Sequence, residues 1–468
     1  MPRRLVAALI LSAVVVLAPA THAAARSPQK QYVAPAGSGA LFLISGHGWG
    51  HGVGMGQWGA EGYALQGYTY DEILASYYPG TSLGQSTVSK IRVLLADKKK
   101  RLTISSDQPI TVVDGNGVTH TLAAGDTKFG PDLNLAVDGG VPQALPPPLT
   151  FAPAAGSMLS LGRAYRGKLV VYVVNGRLRA VNVLPLEQYL DSVVASEMPS
   201  TWLPDALEAQ AVASRSFAIA SRKKSGAQFD VYPDSRSQAY LGESVETPEA
   251  TAAVDATTGE VLLYGTKVAT AVFSSSTGGW TQSATDAWGG AGAPYLVSVK
   301  DPYDGISPYH SWGPVAVPGN ALRKALGLSA KPIDATVTRN PSKRVAQLAV
   351  DTLTAGETSQ SLVPGEAAAI ELNLRSTWFS VAVLSLTPPQ PSVPVASGST
   401  VTLTGVVRGV KNVVLQERSE GGYWTELSTV TPDPTTGAIS VDVTPTATTD
   451  YRLATSAYAA AYVRVQVE

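Results

Sequence analysis

The 468-residue sequence contains no cysteine. Disulfides, thiolate metal sites and cysteine nucleophiles are therefore excluded, and the fold must rest on its packed cores. Histidine is scarce, with five residues, and charged side chains make up only 15%. Neither sign of charge dominates: 35 Lys and Arg stand against 36 Asp and Glu. That balance suits a polyanion poorly, so no nucleic acid partner is expected. Long apolar runs are missing beyond the first 25 residues, and none approaches the ~18 residues of a membrane-spanning helix. Hydrophobic content of 44% still suffices for sizeable cores, and the length suits roughly three domains.

One apolar run does stand at the N-terminus. Arg3 and Arg4 precede Leu5 to Leu17, and Ala18-Pro19-Ala20 or Thr21-His22-Ala23 offers a small-residue cleavage site. This is the anatomy of a secretory signal over residues 1–25. The expectation is a secreted, extracellular protein with no membrane contact in its mature form.

Leu41-Phe42-Leu43-Ile44 reads as a short buried strand leading into the glycine-rich stretch SGHGWGHGVGMGQWGA. Alternate glycines there leave the backbone free to approach a ligand or another segment closely. His47, Trp49 and His51 share a face if the stretch is extended. The two histidines then stand about 13 Å apart at ~3.3 Å per residue, too far to share one ion. No metal and no cofactor is expected. A helix is predicted from Trp58 to Gln66, and Thr69 with Glu72 forms a capping box before the next one. From Ser89 to Val183 the chain is strand-rich, with Asn175-Gly176 as a hairpin turn. A short helix is predicted over Asn320 to Leu326. Residues 387–399 form a proline-rich linker. Short alternating strands over 400–468 read as an immunoglobulin-like β-sandwich.

The stretch Leu186 to Lys224 carries the chemistry. Leu186, Tyr189, Leu190, Val193 and Val194 recur on one helical face, and the next position on that face is Glu197. Pro199 disfavours helical geometry at Met198, which places Glu197 in the last turn. Apolar surroundings and the negative end of the helix dipole both disfavour the carboxylate, so both raise its pKa. A carboxylic acid kept protonated near neutrality is what a general acid needs. The alternative is a solvated or capping residue at a frayed helix end. A second helix follows from Pro204, with Gln210 and Ser214 on its otherwise apolar stripe as core hydrogen-bond partners or part of a site wall. Asp191 and Glu208 fall outside the apolar stripes and read as solvated. A serine-hydrolase reading is weak, because no Gly-x-Ser-x-Gly elbow is present.

Taken together, Tyr165 to Gly167 (YRG), Leu186 to Ala218, Gln238 to Tyr240 (QAY), Ser274 to Thr281 (SSSTGGWT), Ala293 to Leu296 (APYL), Leu374 to Phe379 (LRSTWF) and the Gly46 to Ala60 stretch resemble the SpoIID/LytB family of bacterial cell-wall proteins. The likeness runs from about Leu41 to Val383. It implies an α+β architecture: a strand-rich SpoIID-like domain over 40–386, with a β-rich insert at about 90–183, followed by the sandwich. It also implies a place in the cell wall. SpoIID-type members are lytic transglycosylases that cut the glycan strand of peptidoglycan between MurNAc and GlcNAc. Their catalytic acid, the glutamate of the E-M-P motif, corresponds to Glu197. The histidine of their G-H-G-V-G motif corresponds to His51. Gln57, Gln210, Tyr240 and Ser276 join His51 as candidate glycan contacts. LytB-type relatives are amidase enhancers, which makes a non-catalytic activator of a cell-wall amidase the competing expectation.

Two departures from the family stand out. The glycine-histidine motif commonly follows the segment matching LRSTWF, whereas here it lies near the start. If the order has been circularly rearranged, Leu41 to Ser45 must neighbour Thr377 to Val383 in space. Some relatives also bind zinc through cysteine, and this chain has none.

Overall fold

The computed structural model describes residues 31–223, 226–389 and 393–468. The expected signal segment lies outside the described residues. The described chain divides into two compact units, Trp49–Ser307 and a discontinuous one that joins residues 31–48 with Pro308–Glu468.

In the first unit, alternating strands form a six-stranded antiparallel sheet. Its order is Lys90–Lys99, Arg177–Pro185, Lys168–Val174, Leu149–Ala152, Ile110–Val113 and Thr119–Leu122. Asn175 and Gly176 both have positive φ, 49° and 66°, and Val174 pairs with Arg177 across them. The predicted two-residue hairpin is thus present, with the left-handed residues that its turn requires. Inward residues of these strands, among them Val112, Phe151, Val171 and Ala180, close one apolar core.

A second core in the same unit gathers the helices Gln57–Ala64, Tyr70–Tyr77, Leu186–Glu197, Pro204–Ala220 and Pro248–Ala256. The predicted capping box is formed, with the Thr69 N–H donating to the Glu72 carboxylate at 3.0 Å. The helix Pro204–Ala220 runs through the middle of the group and touches the four others. Its Arg215 is fully buried and donates to Glu187 through Nε (3.1 Å to both carboxylate oxygens) and Nη2 (2.5 Å). This bidentate pair fixes it against the helix Leu186–Glu197.

The second unit is built on the five-stranded antiparallel sheet Ser311–Pro318, Leu41–His47, Phe379–Thr387, Val401–Arg408 and Ala438–Val443. Leu41 pairs with Leu384, Ile44 with Val381 and Gly46 with Phe379. The N-terminal strand is therefore the direct neighbour of the segment that a circular rearrangement requires. The expected boundary at 387–399 is not where the compact units divide. Phe379–Thr387 pairs with Val401–Arg408, so one sheet runs on across the proline-rich stretch. The strands of 400–468 also do not stand apart as a sandwich of their own. Two of them extend this sheet. Val414–Ser419, Thr425–Thr429, Thr449–Ala454, Tyr458–Ala459 and Val463–Val465 form another sheet, with Tyr32–Val33 added in parallel to Tyr458–Ala459. Leu41, Leu384, Leu403, Leu415 and Leu453 share one core between the two. The coarse class, strand-rich α+β, is as expected. The predicted short helix appears as Gly319–Ala325.

Candidate active site

Glu197 ends the helix Leu186–Glu197, and Met198 is extended with φ −126° and ψ 148°. Leu186, Tyr189, Leu190, Val193 and Val194 are all buried, as their spacing requires. Glu197 continues the stripe inward and is only 7% exposed. Its carboxylate accepts the Ala239 backbone N–H at 2.7 Å. Burial pushes the carboxyl up to about 7, while the Ala239 N–H and the Gln57 amide pull it down. Desolvation wins because a single short hydrogen bond does not replace the hydration of a charge.

Gln57 opens the helix Gln57–Ala64 and is itself buried. Its Nε2 donates to the Glu197 carbonyl at 3.0 Å and lies 3.5 Å from Gln210 Oε1. Gln210 Nε2 donates to Ser214 Oγ at 2.8 Å, and the Ser214 carbonyl accepts from Gln238 Nε2 at 3.1 Å. Gln238 precedes Ala239, so the chain of bonds returns to the residue that holds the carboxylate. Tyr189 lies fully buried within reach of the same charge, and burial together with Glu197 pushes its phenol up. One turn beyond Gln57, Glu61 accepts the Leu203 N–H at 3.0 Å, which ties this helix to the loop after Glu197. Three of the expected site residues, Glu197, Gln57 and Gln210, are thus joined in one network.

The other three sit elsewhere in the same unit. The Tyr240 hydroxyl donates to Asn182 Oδ1 at 2.7 Å, and its ring packs near Tyr165 and Tyr189. That hydroxyl is engaged inside the core; the backbone one residue earlier faces the acid instead. Ser276 is fully buried and donates to Asp304 at 2.8 and 3.0 Å. Gln210 is likewise fully buried, which favours its role as a core partner over a direct glycan contact. His51 Nδ1 accepts the Val53 N–H at 2.9 Å, which leaves the proton of the neutral ring on Nε2. Its ring meets Trp288 edge-on at 5.4 Å. The glycine-rich stretch is not extended: Gly48, Gly50, Gly52 and Gly54 all have positive φ.

Sequence reasoning missed a second buried acid group. Asp301 is 2% exposed and raised to about 7 by burial and by the Asp304 charge. Thr277 Oγ1 donates to it at 2.7 Å. Asp304, fully buried, accepts the backbone N–H groups of Thr277 and Gly278 at 2.9 and 3.0 Å. Gly59 lies against Asp301: a Cβ there would stand 2.4 Å from its carboxylate and 2.0 Å from the Tyr77 hydroxyl. The pair thus seats the helix that carries Gln57. Asp191 also departs from expectation. It is half-buried, and burial with the charges of Glu246 and Asp255 raises its carboxyl to about 6.

Among the described residues, no group of three or more His, Asp or Glu side chains is arranged to hold a metal ion. Two surface cavities, of about 500 and 360 Å³, are lined by Asp97, Lys100 and Arg177 and by His47 and Trp312 respectively. Neither includes a residue of the Glu197 network.

The family described as SpoIID, Stage II sporulation protein, matches residues 174–264. Stage II sporulation protein D of Bacillus subtilis (strain 168) is 39% identical over 149 residues, 28% of this chain and 42% of that protein. Its counterpart in Bacillus amyloliquefaciens is 34% identical over 193 residues, 37% of this chain and 55% of that protein. The amidase enhancer of Bacillus subtilis (strain 168) is 38% identical over 116 residues, 25% of this chain and 15% of that protein. The chain spans about half the length of the curated sporulation relatives it matches. No solved structure matches it. The segment that resembles the SpoIID family, residues 174–264, holds Glu197, Gln210 and Ala239 of the buried network.

Proposed function

We propose that the protein is exported to the cell wall and cleaves peptidoglycan glycan strands by lytic transglycosylation, with Glu197 as the single acid and base. The observation that carries this reading is the buried carboxyl at the helix end, raised to about 7 with one backbone donor aimed at it. At neutral pH a substantial fraction holds a proton. Protonated Glu197 donates it to the glycosidic oxygen between MurNAc and GlcNAc as the C1–O bond breaks. The carboxylate so formed is stabilised by the Ala239 N–H. It then takes the proton of the muramoyl C6 hydroxyl as that oxygen closes on C1. The products are a free GlcNAc 4-hydroxyl and a 1,6-anhydro-MurNAc end, and the enzyme regains its proton. A hydrolase working through water needs two carboxylates at a set separation. Asp301, another strongly perturbed acid, is engaged with Thr277 and packed against Gly59, a seating role.

Mass spectrometry of peptidoglycan digested by wild-type and Glu197→Gln protein tests the proposal. Anhydro-muramoyl ends should appear with the first and vanish with the second. Equal product from both removes Glu197 from the mechanism. The likeness to an amidase enhancer favours a second reading, in which the protein stimulates a cell-wall amidase. Under it the wild type releases no anhydro ends but accelerates a partner amidase on the same substrate.

A further inference from the structure

The loop after Glu197 and the helix after the glycine-rich stretch are bolted together at two points one helical turn apart. Gln57 Nε2 donates to the Glu197 carbonyl, and Glu61 accepts the Leu203 N–H. Between these bolts sit Trp58 and Trp202. Their rings meet with centroids 4.8 Å apart at 63°, and both side chains are partly exposed. Trp58 follows Gln57 directly, and Trp202 lies on the short loop from Met198 that the Trp202 N–H closes onto the Pro199 carbonyl at 3.0 Å. The acid, its amide partner and the two indoles therefore belong to one braced assembly.

A tryptophan that only fills a core has its indole N–H paired when buried. Trp58 Nε1 is shielded from solvent and has no acceptor among the described residues. The two indoles are inclined at 63° and only partly buried. A pyranose whose substituents are equatorial presents a flat face of axial C–H groups, which are weakly positive. The face of an indole is negative, so such a sugar stacks on it with both dispersion and electrostatic gain. The inclined second ring then abuts the sugar's rim and fixes its rotation. Axially substituted sugars lack the flat face and fit poorly.

We propose that Trp58 and Trp202 form a sugar-stacking subsite beside Glu197 that takes a β-1,4-linked N-acetylhexosamine residue of the glycan strand. The subsite rests on the transglycosylase reading for its place in the reaction, but not for its ability to bind sugar. It holds one residue of the strand so that the neighbouring glycosidic bond lies at the acid.

The test is calorimetric titration of the full-length protein with the β-1,4-linked N-acetylglucosamine tetramer, which contains no muramoyl residue. Wild type and Glu197→Gln should bind alike. Trp58→Leu and Trp202→Leu should each bind about tenfold more weakly, the loss of one aromatic contact. Trp58→Phe and Trp202→Phe keep a ring and should stay within about threefold. Leucine variants with wild-type circular dichroism and wild-type affinity overturn the proposal, as does a wild type that does not bind the tetramer. If a leucine variant fails to fold, the phenylalanine variants and the mannosamine-type tetramer decide. Equal binding of both sugar series overturns the proposal, and preference for the equatorial series supports it. Binding that depends on the indoles without any anhydro product leaves the subsite standing and removes the transglycosylase reading. Anhydro product with unchanged KM in the leucine variants does the reverse.

Discussion

Replacing Glu197 by glutamine tests the electrostatics of the site independently of any activity. The carboxyl is raised from an ordinary 4.5 to about 7 by burial. Between those two values the folded protein keeps a proton that the unfolded chain has released. Stability therefore falls as pH rises through this window and levels off above it. At 1.36 kcal/mol per pH unit, the loss comes to about 3 kcal/mol. Glutamine keeps the oxygen that accepts the Ala239 N–H, and it has no proton to lose. Urea unfolding of both proteins from pH 4.5 to 8.5 isolates this contribution, because every other titrating group cancels in the difference. The variant should gain about 3 kcal/mol relative to wild type across the window. A difference flat to within about 0.5 kcal/mol would refute the claim that desolvation governs Glu197.

Under the proposed transglycosylase reading, release of anhydro-muramoyl ends should fall about tenfold per pH unit above pH 7, read from a pH–rate profile. Gln57→Ala leaves the buried Glu197 carbonyl without its 3.0 Å donor and should cost about 1–3 kcal/mol in urea unfolding. Glu187→Gln strips the fully buried Arg215 of its carboxylate partner. Backbone carbonyls of Val254 and Glu260 still accept from it, so a loss of about 3 kcal/mol is expected from the same assay. Gly59→Ala drives a methyl into Tyr77 and Asp301, and should lower the melting temperature more than any of these, measured by calorimetry.

How much of this was legible depends on the range of the interaction concerned. The helix Leu186–Glu197, its break at Met198-Pro199 and the Asn175-Gly176 turn are set by neighbours within a few residues, and periodicity or turn chemistry reveals them. The inward position of Glu197 followed from the same stripe. The pairing of Leu41–His47 with Phe379–Thr387 spans most of the chain and was legible only through the displaced motif. Nothing local marks Asp301, whose environment comes from Gly59, Tyr77 and Thr277. Nor does the QAY segment reveal that the Tyr240 hydroxyl turns to Asn182 while the Ala239 N–H turns to the acid. Side-chain direction at that point is set by packing across more than forty residues. The expected boundary at the proline-rich stretch failed for a related reason: composition marks where a chain bends, not whether the strands on either side pair.

The strand Leu41–His47 sits between two partners that lie more than 260 residues further along the chain. Trp49–Ser307 is thus an insertion between adjacent strands of another sheet, and the Gly48 N–H meets the Tyr309 carbonyl at 2.9 Å where it leaves and returns. During synthesis the inserted unit is complete, and free to fold, while its host still lacks every strand but the first. Closing that host sheet is a late, high-contact-order step. Because Gly48 and Tyr309 are hydrogen-bonded to each other, a short linker between them should close the host chain once the segment is excised. The piece that carries Glu197 and the sheet that hosts it then become two separate proteins, each open to study alone.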